Sequence, residues 1–304
     1  MIMDPKTLTG KTLVAGVFGW PINHSRSPRL HGFWLAKYGI DGAYLPFSTR
    51  PENLVDAIRA LPKLGFRGGN ITLPHKERAL AAVDELTDVA RRIGAVNTLI
   101  VREDGSIQGH NTDGYGFLQH LTASAPHWRA DAGSAVVLGA GGAARAIIVA
   151  LLDAGVPQVT LINRTASRAE NLARELAGRI EVVAWDSRAD ALKDAGLLVN
   201  TTQLGQAGQG PLDLDLKHLP TAAVVDDIVY VPLETNLLAS ARARGNAVVD
   251  GIGMLLHQAR PGFKAWFGVE PEVDAALLVE ELGDDAPYAR LLEHLSIYLD
   301  AHWG

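Results

Sequence analysis

Three polar clusters in the first half of the chain carry the side chains best suited to chemistry. Residues 23–28 (Asn-His-Ser-Arg-Ser-Pro) offer two hydroxyls, residues 70–76 (Asn-Ile-Thr-Leu-Pro-His-Lys) an ammonium, and residues 109–116 (Gly-His-Asn-Thr-Asp-Gly-Tyr-Gly) a carboxylate. Each cluster falls at the end of a strand, where α/β proteins place ligand sites. Strand alternation puts Asn70 and Thr72 on one side, and the helix expected after them brings Lys76 near. The first half is therefore predicted to hold the catalytic chemistry.

Each cluster also has a purely structural interpretation, which the residues alone leave open. Ser27 before Pro28 fits a helix N-cap followed by a first-turn proline. A single lysine such as Lys76 is ordinarily a solvated surface residue. Asn111 to Asp113 suit an Asx turn with an N-cap. For the serine both interpretations can hold, because the neighbours of a cap residue still face a cleft.

A glycine-rich turn opens the second half of the chain. Gly139, Gly141 and Ala144 follow the apolar run 134–138 with the spacing Gly-x-Gly-x-x-Ala. Small residues at this spacing let the backbone approach a pyrophosphate at a helix N-terminus, although such turns also occur for structural reasons. The turn therefore predicts a dinucleotide, and the end of the next strand sharpens that prediction.

The residues after that next strand distinguish between dinucleotides. NAD-binding folds usually place an acid there to bind the ribose 2′-hydroxyl, but the apolar run 159–162 ends in Asn163-Arg164-Thr165, with Arg168 beyond. Hydrogen-bond donors and positive charge suit a 2′-phosphate. The sequence therefore predicts NADP (NADPH) as the cofactor. The alternative is that the two arginines only solvate a helix start, where the helix dipole makes cations mildly unfavourable.

Strand-like and helix-like runs alternate along the chain, which predicts an α/β fold. In the first half, strands are expected at 12–18, 43–47, 69–72 and 95–101, and helices near 27–38, 51–61 and 75–92. After a loop at 122–133, strands alternate with helices in the doubly wound manner at 135–138, 159–162, 181–184, 197–201, 223–226 and 247–249. We expect two α/β domains: a catalytic, substrate-binding domain (1–119) and a Rossmann-type NADP domain (120–252), with C-terminal helices (253–304) returning to the first.

The composition excludes several other classes of protein. The 304 residues are 47% hydrophobic, enough for a substantial core, and a net charge of −6 without a long basic run argues against a nucleic-acid surface. No stretch approaches the ~20 apolar residues of a membrane span, and residues 1–11 lack the apolar core of a signal peptide. We therefore expect a cytoplasmic protein. The absence of cysteine removes disulfides, thiolate nucleophiles and cysteine-ligated metals.

Taken in order, these motifs resemble those of the shikimate dehydrogenase family, and the resemblance covers roughly residues 12–275. The family's Ser-x-Ser, Asn-(Val/Ile)-Thr-x-Pro-x-Lys and Ala-Val-Asn-Thr correspond to residues 25–27, 70–76 and 95–98. Its Gly-x-Asn-Thr-Asp, its Asn-Arg-Thr and its Gly-x-Gly-Met-Leu with a following Gln correspond to residues 109–113, 163–165 and 251–258. Because several separated motifs agree, chance is a poor explanation.

The resemblance implies the reversible NADPH-dependent reduction of 3-dehydroshikimate to shikimate, in the pathway that makes aromatic amino acids. It implies Lys76 and Asp113 as the catalytic pair, with no metal. An ammonium beside the reacting oxygen stabilises the developing alkoxide and can supply its proton. A nearby carboxylate favours the charged ammonium, so the sequence leaves open whether Lys76 acts as proton donor or as electrostatic stabiliser.

The resemblance also implies the binding residues and the partners. The substrate is expected at Ser25, Ser27, Asn70, Thr72, Asn97, Tyr230 and Gln258. The cofactor is expected at Asp88, Gly139, Ala140, Gly141, Gly142, Ala143, Asn163, Arg164, Thr165, Arg168, Thr201, Ile228, Gly251 and Met254. We expect a monomer or homodimer with a small-molecule substrate and with no nucleic-acid or membrane partner.

The sequence departs from the family pattern at two places, and it leaves two alternative functions open. The family's Asn-Thr-Thr-Pro-Leu-Gly-Met appears at residues 200–206 with Gln203 and Gln206, which puts the stiffness of this loop in doubt. Residues 285–304 extend beyond the usual family end. Their amphipathic pattern predicts an extra helix on the first domain, and the alternative is a role in association. A quinate or quinate/shikimate dehydrogenase using NAD would share both catalytic residues. A non-catalytic NADP-binding sensor would have no need for both.

Overall fold

The computed structural model describes residues 8–23, 25–274, 276 and 277 of the chain. Its residue contacts divide the chain into two compact units. Of the described residues, those up to Thr87, Val96–His110 and those from Ala259 onward form the first unit, while Asp88–Ala95 and Asn111–Gln258 form the second. No helix within these residues combines the length and hydropathy that a membrane span requires. The extra helix predicted at 285–304 lies outside the described residues.

The first unit is built on a mixed sheet. Its strands are β1 (Leu13–Gly19), β2 (Gly42–Ser48), β3 (Phe66–Ile71), β4 (Glu85–Leu86), β5 (Thr98–Val101) and β6 (Ile107–His110), and its helices include α1 (Ser27–Lys37) and α2 (Leu54–Ala60). The strand order is β2-β1-β3-β5-β6-β4. β1 runs parallel to β2 and β3, whereas β5 is antiparallel to β3 and β6. β1 and β3 therefore end at the same edge of the sheet.

An aromatic cluster forms the core beside α1. His31 and Trp34 of α1 pack against Tyr44 of β2 and against Phe263 and Trp266 of helix α8 (Ile252–Phe267). The ring centroids of His31 and Tyr44 are 3.9 Å apart. The Nε1–H of Trp266 donates to a carbonyl oxygen of β5 at 2.8 Å. The cluster thereby joins α1, the sheet and the end of α8.

The helix predicted at 75–92 is wrong. The structure has a turn, a 3-10 helix at Arg78–Ala82, strand β4 and then helix α3 (Asp88–Ile93). Asp84 explains the break, because its N–H donates to the Ile107 carbonyl oxygen and its carboxylate accepts the Ile107 N–H at 2.8 Å. These bonds hold the segment beside β6, so tertiary pairing overrides local helix propensity. The sequence does not predict strand β6, because Ile107 is its one large apolar residue.

The second unit carries a doubly wound sheet, as predicted. Its strands are β7 (Ser134–Leu138), β8 (Val159–Ile162), β9 (Ile180–Val183), β10 (Ala195–Asn200), β11 (Val224–Asp227) and β12 (Ala247–Val249). Besides α3 and the start of α8, its helices are α4 (Asp113–Ser124), α5 (Gly142–Asp153), α6 (Ala166–Leu176) and α7 (Asn236–Ala243). The strands lie in the order β12-β11-β10-β7-β8-β9, and all neighbours are parallel. The order reverses between β7 and β10, where such sheets bind ligands.

The division between the units differs from the predicted boundaries. The sequence places the first boundary between residues 119 and 120, inside α4, whereas all of α4 belongs to the second unit. α4 packs so closely on α5 that a Cβ on Gly114 would lie 2.9 Å from the Ala146 carbonyl oxygen. Residues 88–95 join the same unit, because α3 also contacts α5. Helix α8 passes from the second unit to the first after Gln258, rather than at residue 253.

Candidate active site

Lys76 lies partly buried in the turn that leaves β3. Its carbonyl oxygen accepts the Val96 N–H at 2.8 Å, which ties the turn to the segment that enters β5. On the other side, His75 is fully buried and its Nε2 lies 2.7 Å from the Thr49 carbonyl oxygen. Burial lowers the pKa of His75, and the hydrogen bond to Thr49 opposes this only in part. The neutral imidazole of His75 therefore donates to the Thr49 carbonyl oxygen, and this bond fixes the backbone of the turn next to Lys76.

A buried hydrogen-bond network joins Tyr44 within β2 to the end of β3 and the start of β5. The Tyr44 hydroxyl donates to Asn70 Oδ1 at 2.6 Å, and Asn70 Nδ2 donates to the Asn97 carbonyl oxygen at 3.1 Å and to Thr98 Oγ1 at 3.3 Å. The Thr98 hydroxyl in turn donates to Asn97 Oδ1 at 2.8 Å. All four residues are buried. The network brings the predicted substrate residues Asn70 and Asn97 together and uses both groups of the Asn70 amide internally.

The two serines lie at the start of α1. Ser27 is the first residue of the helix, while the N-cap position is held by Arg26 without a side-chain cap, so the N-cap interpretation of Ser27 is wrong. The Ser25 hydroxyl accepts the Ser27 N–H at 3.4 Å. Thr72 leaves β3 at the same sheet edge, and its N–H donates to the Phe18 carbonyl oxygen of β1 at 3.0 Å. The first unit thus presents hydroxyls and amides at the ends of β1, β3 and β5.

Asp113 begins α4 in the second unit. Its N–H donates to Asn111 Oδ1 at 3.0 Å, which is the predicted Asx turn, and the helix N-terminus favours a negative charge at this position. The Thr112 hydroxyl donates to the Gln258 carbonyl oxygen of α8 at 2.8 Å. A Cβ on Gly116 would lie 2.6 Å from the Gln258 nitrogen. The close packing of α4 on α8 therefore brings Asp113 and Gln258 onto adjoining turns.

The glycine-rich turn lies at the switch point of the second sheet and fits a dinucleotide. Gly139 has φ +109°, and a Cβ there would lie 2.5 Å from Thr201 Oγ1, so the position requires glycine. A Cβ on Gly141, in contrast, would meet nothing within 4 Å. Gly141 is the N-cap of α5, and the first turn of this helix has no acidic residue and no side-chain cap. The open space beside Gly141, together with the N–H groups that the first turn of a helix leaves without intrahelical acceptors, suits a pyrophosphate.

The end of β8 is cationic. Arg164 and Arg168 are exposed, and neither guanidinium pairs with a carboxylate in the part of the chain that the structure describes. Thr165 is the N-cap of α6, whose first turn contains no acidic residue. Asn163 Nδ2 donates to the Thr165 carbonyl oxygen at 2.8 Å and shapes this turn. Two unpaired arginines oppose the helix dipole, and an anion such as a 2′-phosphate would relieve that repulsion.

The predicted residues near the nicotinamide end gather after β11 and β12. The Ile228 N–H donates to the Asn200 carbonyl oxygen at 3.1 Å. A Cβ on Gly251 would lie 2.3 Å from the Ile228 carbonyl oxygen, so the two backbones touch. Met254 and Ile228 both pack against the core of this unit. Tyr230 follows on the same loop and is partly buried.

The loop after β10 contains the two glutamines that depart from the family pattern. Thr201 precedes it, and its hydroxyl donates to the Leu138 carbonyl oxygen at 2.7 Å. The Gln206 N–H donates to the Gln203 carbonyl oxygen at 3.1 Å, so the loop forms a closed turn with these residues in place. Asp88, the last of the predicted cofactor residues, is the exposed first residue of α3.

The predicted substrate and catalytic residues divide between the units. The first unit holds Ser25, Ser27, Asn70, Thr72, Lys76 and Asn97, and the second holds Asp113, Tyr230 and Gln258. The pairing of Lys76 with Asp113 stays a prediction.

Comparison with known proteins decides between the families that this chemistry allows. Residues 17–99 match the model of the shikimate dehydrogenase substrate binding domain, and residues 123–207 match that of shikimate / quinate 5-dehydrogenase. A protein of Paramagnetospirillum magneticum named shikimate dehydrogenase (NADP(+)) is 60% identical over 270 residues, which are 89% of this chain and 98% of that protein. The chain belongs to the shikimate dehydrogenase family.

Solved structures of the shikimate dehydrogenase family share the fold. Shikimate 5-dehydrogenase from Thermus thermophilus, in complex with NADP(H) and shikimate, superposes with a TM-score of 0.78 at 38% identity and covers 89% of this chain and 97% of its own. Quinate dehydrogenase from Corynebacterium glutamicum, in complex with NAD, gives 0.80 at 31% identity over 89% of this chain and 97% of its own. The predicted family and two-domain α/β fold are confirmed. As a member of this family, the chain is an NADP-dependent oxidoreductase.

Two residues that bond the predicted substrate residues are not themselves predicted from the sequence. Tyr44 and Thr98 take part in the network that holds Asn70 and Asn97. A tyrosine within a strand is typical of any sheet core, so nothing in the sequence marks Tyr44. Thr98 does lie within the Ala-Val-Asn-Thr motif, and that motif is the signal that could have found it.

Proposed function

We propose that this chain catalyses the reversible NADPH-dependent reduction of 3-dehydroshikimate to shikimate, with Lys76 and Asp113 as the catalytic pair. The observation that carries the proposal is the 60% identity, over 89% of the chain, to a protein named for this activity. The arrangement of each unit supports it, because one presents hydroxyls, amides and a lysine, and the other presents a nucleotide turn and a carboxylate.

Lys76 is proposed to act on the carbonyl oxygen of the substrate. Reduction adds a hydride to the carbonyl carbon and a proton to the oxygen, and NADPH when bound supplies the hydride. The Lys76 ammonium is proposed to donate a hydrogen bond to the oxygen as negative charge develops, and it can supply the proton that the oxygen takes up. Asp113 is proposed to orient the ammonium. The Asx turn at Asn111 and the bond from Thr112 to α8 hold Asp113 in place.

The substrate carboxylate and hydroxyls are proposed to bind the polar groups of both units. Hydroxyl and amide side chains can hydrogen-bond both the carboxylate and the hydroxyls of a small polyhydroxylated acid. We assign this role to Ser25, Ser27, Thr72, Asn97 and Gln258, with Tyr230 near them. Asn70 is assigned a supporting role, because both groups of its amide already bond within the first unit.

The preference for NADP is proposed to depend on the cationic end of β8. Arg164 and Arg168, with Asn163 and Thr165, offer donors and charge to a 2′-phosphate, whereas this end of β8 contains no acid that would bind the 2′-hydroxyl of NAD. The remaining residues proposed to contact the cofactor are Asp88, Gly139, Ala140, Gly141, Gly142, Ala143, Thr201, Ile228, Gly251 and Met254.

The test is the initial rate of nicotinamide reduction in four mixtures, which combine shikimate or quinate with NADP⁺ or NAD⁺. We expect shikimate with NADP⁺ to be the best pair. If quinate with NAD⁺ is best, the fold and site stand but the physiological substrate is wrong. If no mixture turns over while NADPH still binds, the chain is a sensor rather than an enzyme, and the proposed function fails.

Two further expectations remain predictions. The chain is expected to be a monomer or a homodimer, which light scattering coupled to gel filtration would determine. A cytoplasmic location is expected from the sequence, and fractionation of cells would test it.

A further inference from the structure

The hydrogen-bond network of the first unit has a defined direction from Tyr44 to Asn97. Three consecutive hydrogen bonds form this path. The Tyr44 hydroxyl donates to Asn70 Oδ1 at 2.6 Å, Asn70 Nδ2 donates to Thr98 Oγ1 at 3.3 Å, and the Thr98 hydroxyl donates to Asn97 Oδ1 at 2.8 Å. A fourth bond, from Asn70 Nδ2 to the Asn97 carbonyl oxygen at 3.1 Å, braces the middle of the chain.

The chemistry of each group determines this direction. An amide oxygen only accepts, so Tyr44 must donate to Asn70, and the Asn70 amide must then turn its nitrogen toward Thr98. The Thr98 hydroxyl accepts from Asn70 Nδ2 and donates its proton to Asn97 Oδ1. The two ends of an amide have nearly the same shape, so only such bonding distinguishes them. The network therefore specifies which end of the Asn97 amide is oxygen and which is nitrogen.

The packing around Tyr44 keeps the first donor of the chain in place. Tyr44 is buried, and its ring stacks on His31, with centroids 3.9 Å apart and planes at 14°. Burial raises the pKa of the Tyr44 phenol well above its ordinary value, and a side-chain interaction with Ser27 lowers it only in part. The phenol therefore keeps its proton at every pH at which the enzyme would work.

We propose that Tyr44 and Thr98 are positioning residues, which orient the Asn97 amide so that its Nδ2 donates to a hydroxyl oxygen of the substrate. This inference rests on the proposed function, in which Asn97 contacts the substrate. Neither Tyr44 nor Thr98 is assigned a contact with the substrate. Without the Thr98 hydroxyl, Asn97 Oδ1 loses this donor, and the flipped amide, which presents an oxygen where a nitrogen is needed, becomes less unfavourable.

A matched pair of substitutions at Thr98 tests the proposal. Thr98→Val keeps the shape and removes the hydroxyl, while Thr98→Ser keeps the hydroxyl and removes a methyl group. We expect Thr98→Val to raise KM for shikimate about tenfold, the effect of one lost hydrogen bond, and to leave KM for NADP⁺ unchanged. In Thr98→Ser, KM for shikimate and KM for NADP⁺ should both stay within about twofold of wild type. Tyr44→Phe should also raise KM for shikimate, but by less than Thr98→Val does. The proposal would be overturned if Thr98→Val and Thr98→Ser raised KM for shikimate equally. It would also be overturned if Thr98→Val raised KM for NADP⁺ as much as KM for shikimate.

Substrate analogues add a readout that a purely structural role would not move. With shikimate analogues that each lack one ring hydroxyl, the penalty of Thr98→Val should disappear for the analogue that lacks the hydroxyl bound by Asn97. A penalty that persists with every analogue would contradict the proposal, because the loss would then come from a general disturbance of the fold.

A spectroscopic measurement separates this inference from the proposed function. In ¹H–¹⁵N spectra, the side-chain NH₂ signals of Asn97 can be assigned by their loss in Asn97→Asp. We expect one sharp pair in wild type and in Thr98→Ser, and two pairs or one broadened pair in Thr98→Val. This result is expected even if wild type fails to oxidise shikimate. A sharp, unshifted pair in Thr98→Val would overturn the orienting role whatever the activity.

Discussion

The imidazole of His31 lies flat against the phenol ring of Tyr44, with ring centroids 3.9 Å apart. His31 is fully buried, and no residue in the described part of the chain accepts or donates a normal hydrogen bond at either ring nitrogen. Burial lowers the pKa of His31 to about 3, and the nearby Asn70 side chain opposes this only in part. The ring behind Tyr44 is therefore neutral, and its protonation is linked to the stability of the fold.

His31 should make the protein less stable in acid. Above pH 6.5 the imidazole is neutral in both the folded and the unfolded chain, so its contribution is fully present. As the pH falls from 6.5 to about 3, only the unfolded chain takes up the proton, and the free energy of unfolding decreases by about 1.4 kcal/mol per pH unit. His31→Phe keeps the stack and should remove this slope. Urea unfolding of both proteins between pH 4 and 8 measures it, and parallel curves would contradict the prediction.

Asp227 should contribute a pH dependence of the opposite sign. Its pKa is raised to about 6 by burial, although hydrogen bonds from Thr235, Val229 and Asn200 lower it in part. As the pH rises from 3.8 to about 6, the unfolded chain loses the proton first, so the contribution of Asp227 to stability falls by up to about 3 kcal/mol. The difference in unfolding free energy between wild type and Asp227→Asn should therefore shrink across this window. A constant difference would show that the pKa of Asp227 is ordinary.

Arg164 and Arg168 should determine the preference for NADP. Replacing both by Gln removes charge-assisted donors from the end of β8, so KM for NADP⁺ should rise about 100-fold while KM for NAD⁺ changes less than about threefold. The matched control is Arg174→Gln, in the last turn of α6, the helix that contains Arg168. This variant should leave KM for both nucleotides unchanged. An equal rise for the two nucleotides would mean that these arginines do not bind the 2′-phosphate.

Gly116 should be required for the contact between α4 and α8. A Cβ there would lie 2.6 Å from the Gln258 nitrogen, so Gly116→Ala should lower the unfolding free energy by about 1–3 kcal/mol and raise KM for shikimate through displacement of Gln258. Gly32→Ala is the control, because a Cβ at that position of α1 would meet nothing within 4 Å. That substitution should stabilise the helix by about 0.5–1 kcal/mol. If Gly116→Ala and Gly32→Ala change the free energy of unfolding by the same amount, Gly116 is not required for the contact between α4 and α8.

The sequence predicts the second unit more closely than the first, and the reason is physical. The strands of a parallel sheet are buried on both faces, so they read as apolar runs such as 134–138 and 159–162. In the first unit, β4 and β6 are short and carry few apolar residues. β6 forms by pairing with β5, and β4 by pairing with β6, so strand pairing rather than propensity creates them. The same pairing breaks the helix predicted at 75–92.

The candidate site divides in the same way. Residues within local motifs, such as Ser25, Asn97 and Gly139, can be found because their spacing carries the signal. Tyr44 cannot, because its role depends on β2 pairing with β1 and on α1 packing over both, which no local pattern records. The division of the contacts before α4 differs from the predicted boundary for a similar reason, since the packing of Gly114 on Ala146 attaches α4 to the second unit.

The catalytic role of Lys76 is tested by the initial rate of NADP⁺ reduction with shikimate in the Lys76→Ala variant. Wild type and Lys63→Ala, which alters an exposed lysine of the same unit, are measured beside it. We expect Lys76→Ala to lose at least about 100-fold in kcat, the scale of a positioned acid or oxyanion donor, while the binding of NADPH measured by fluorescence stays unchanged. Lys63→Ala should match wild type. Nearly intact turnover in Lys76→Ala would show that Lys76 is not a catalytic residue.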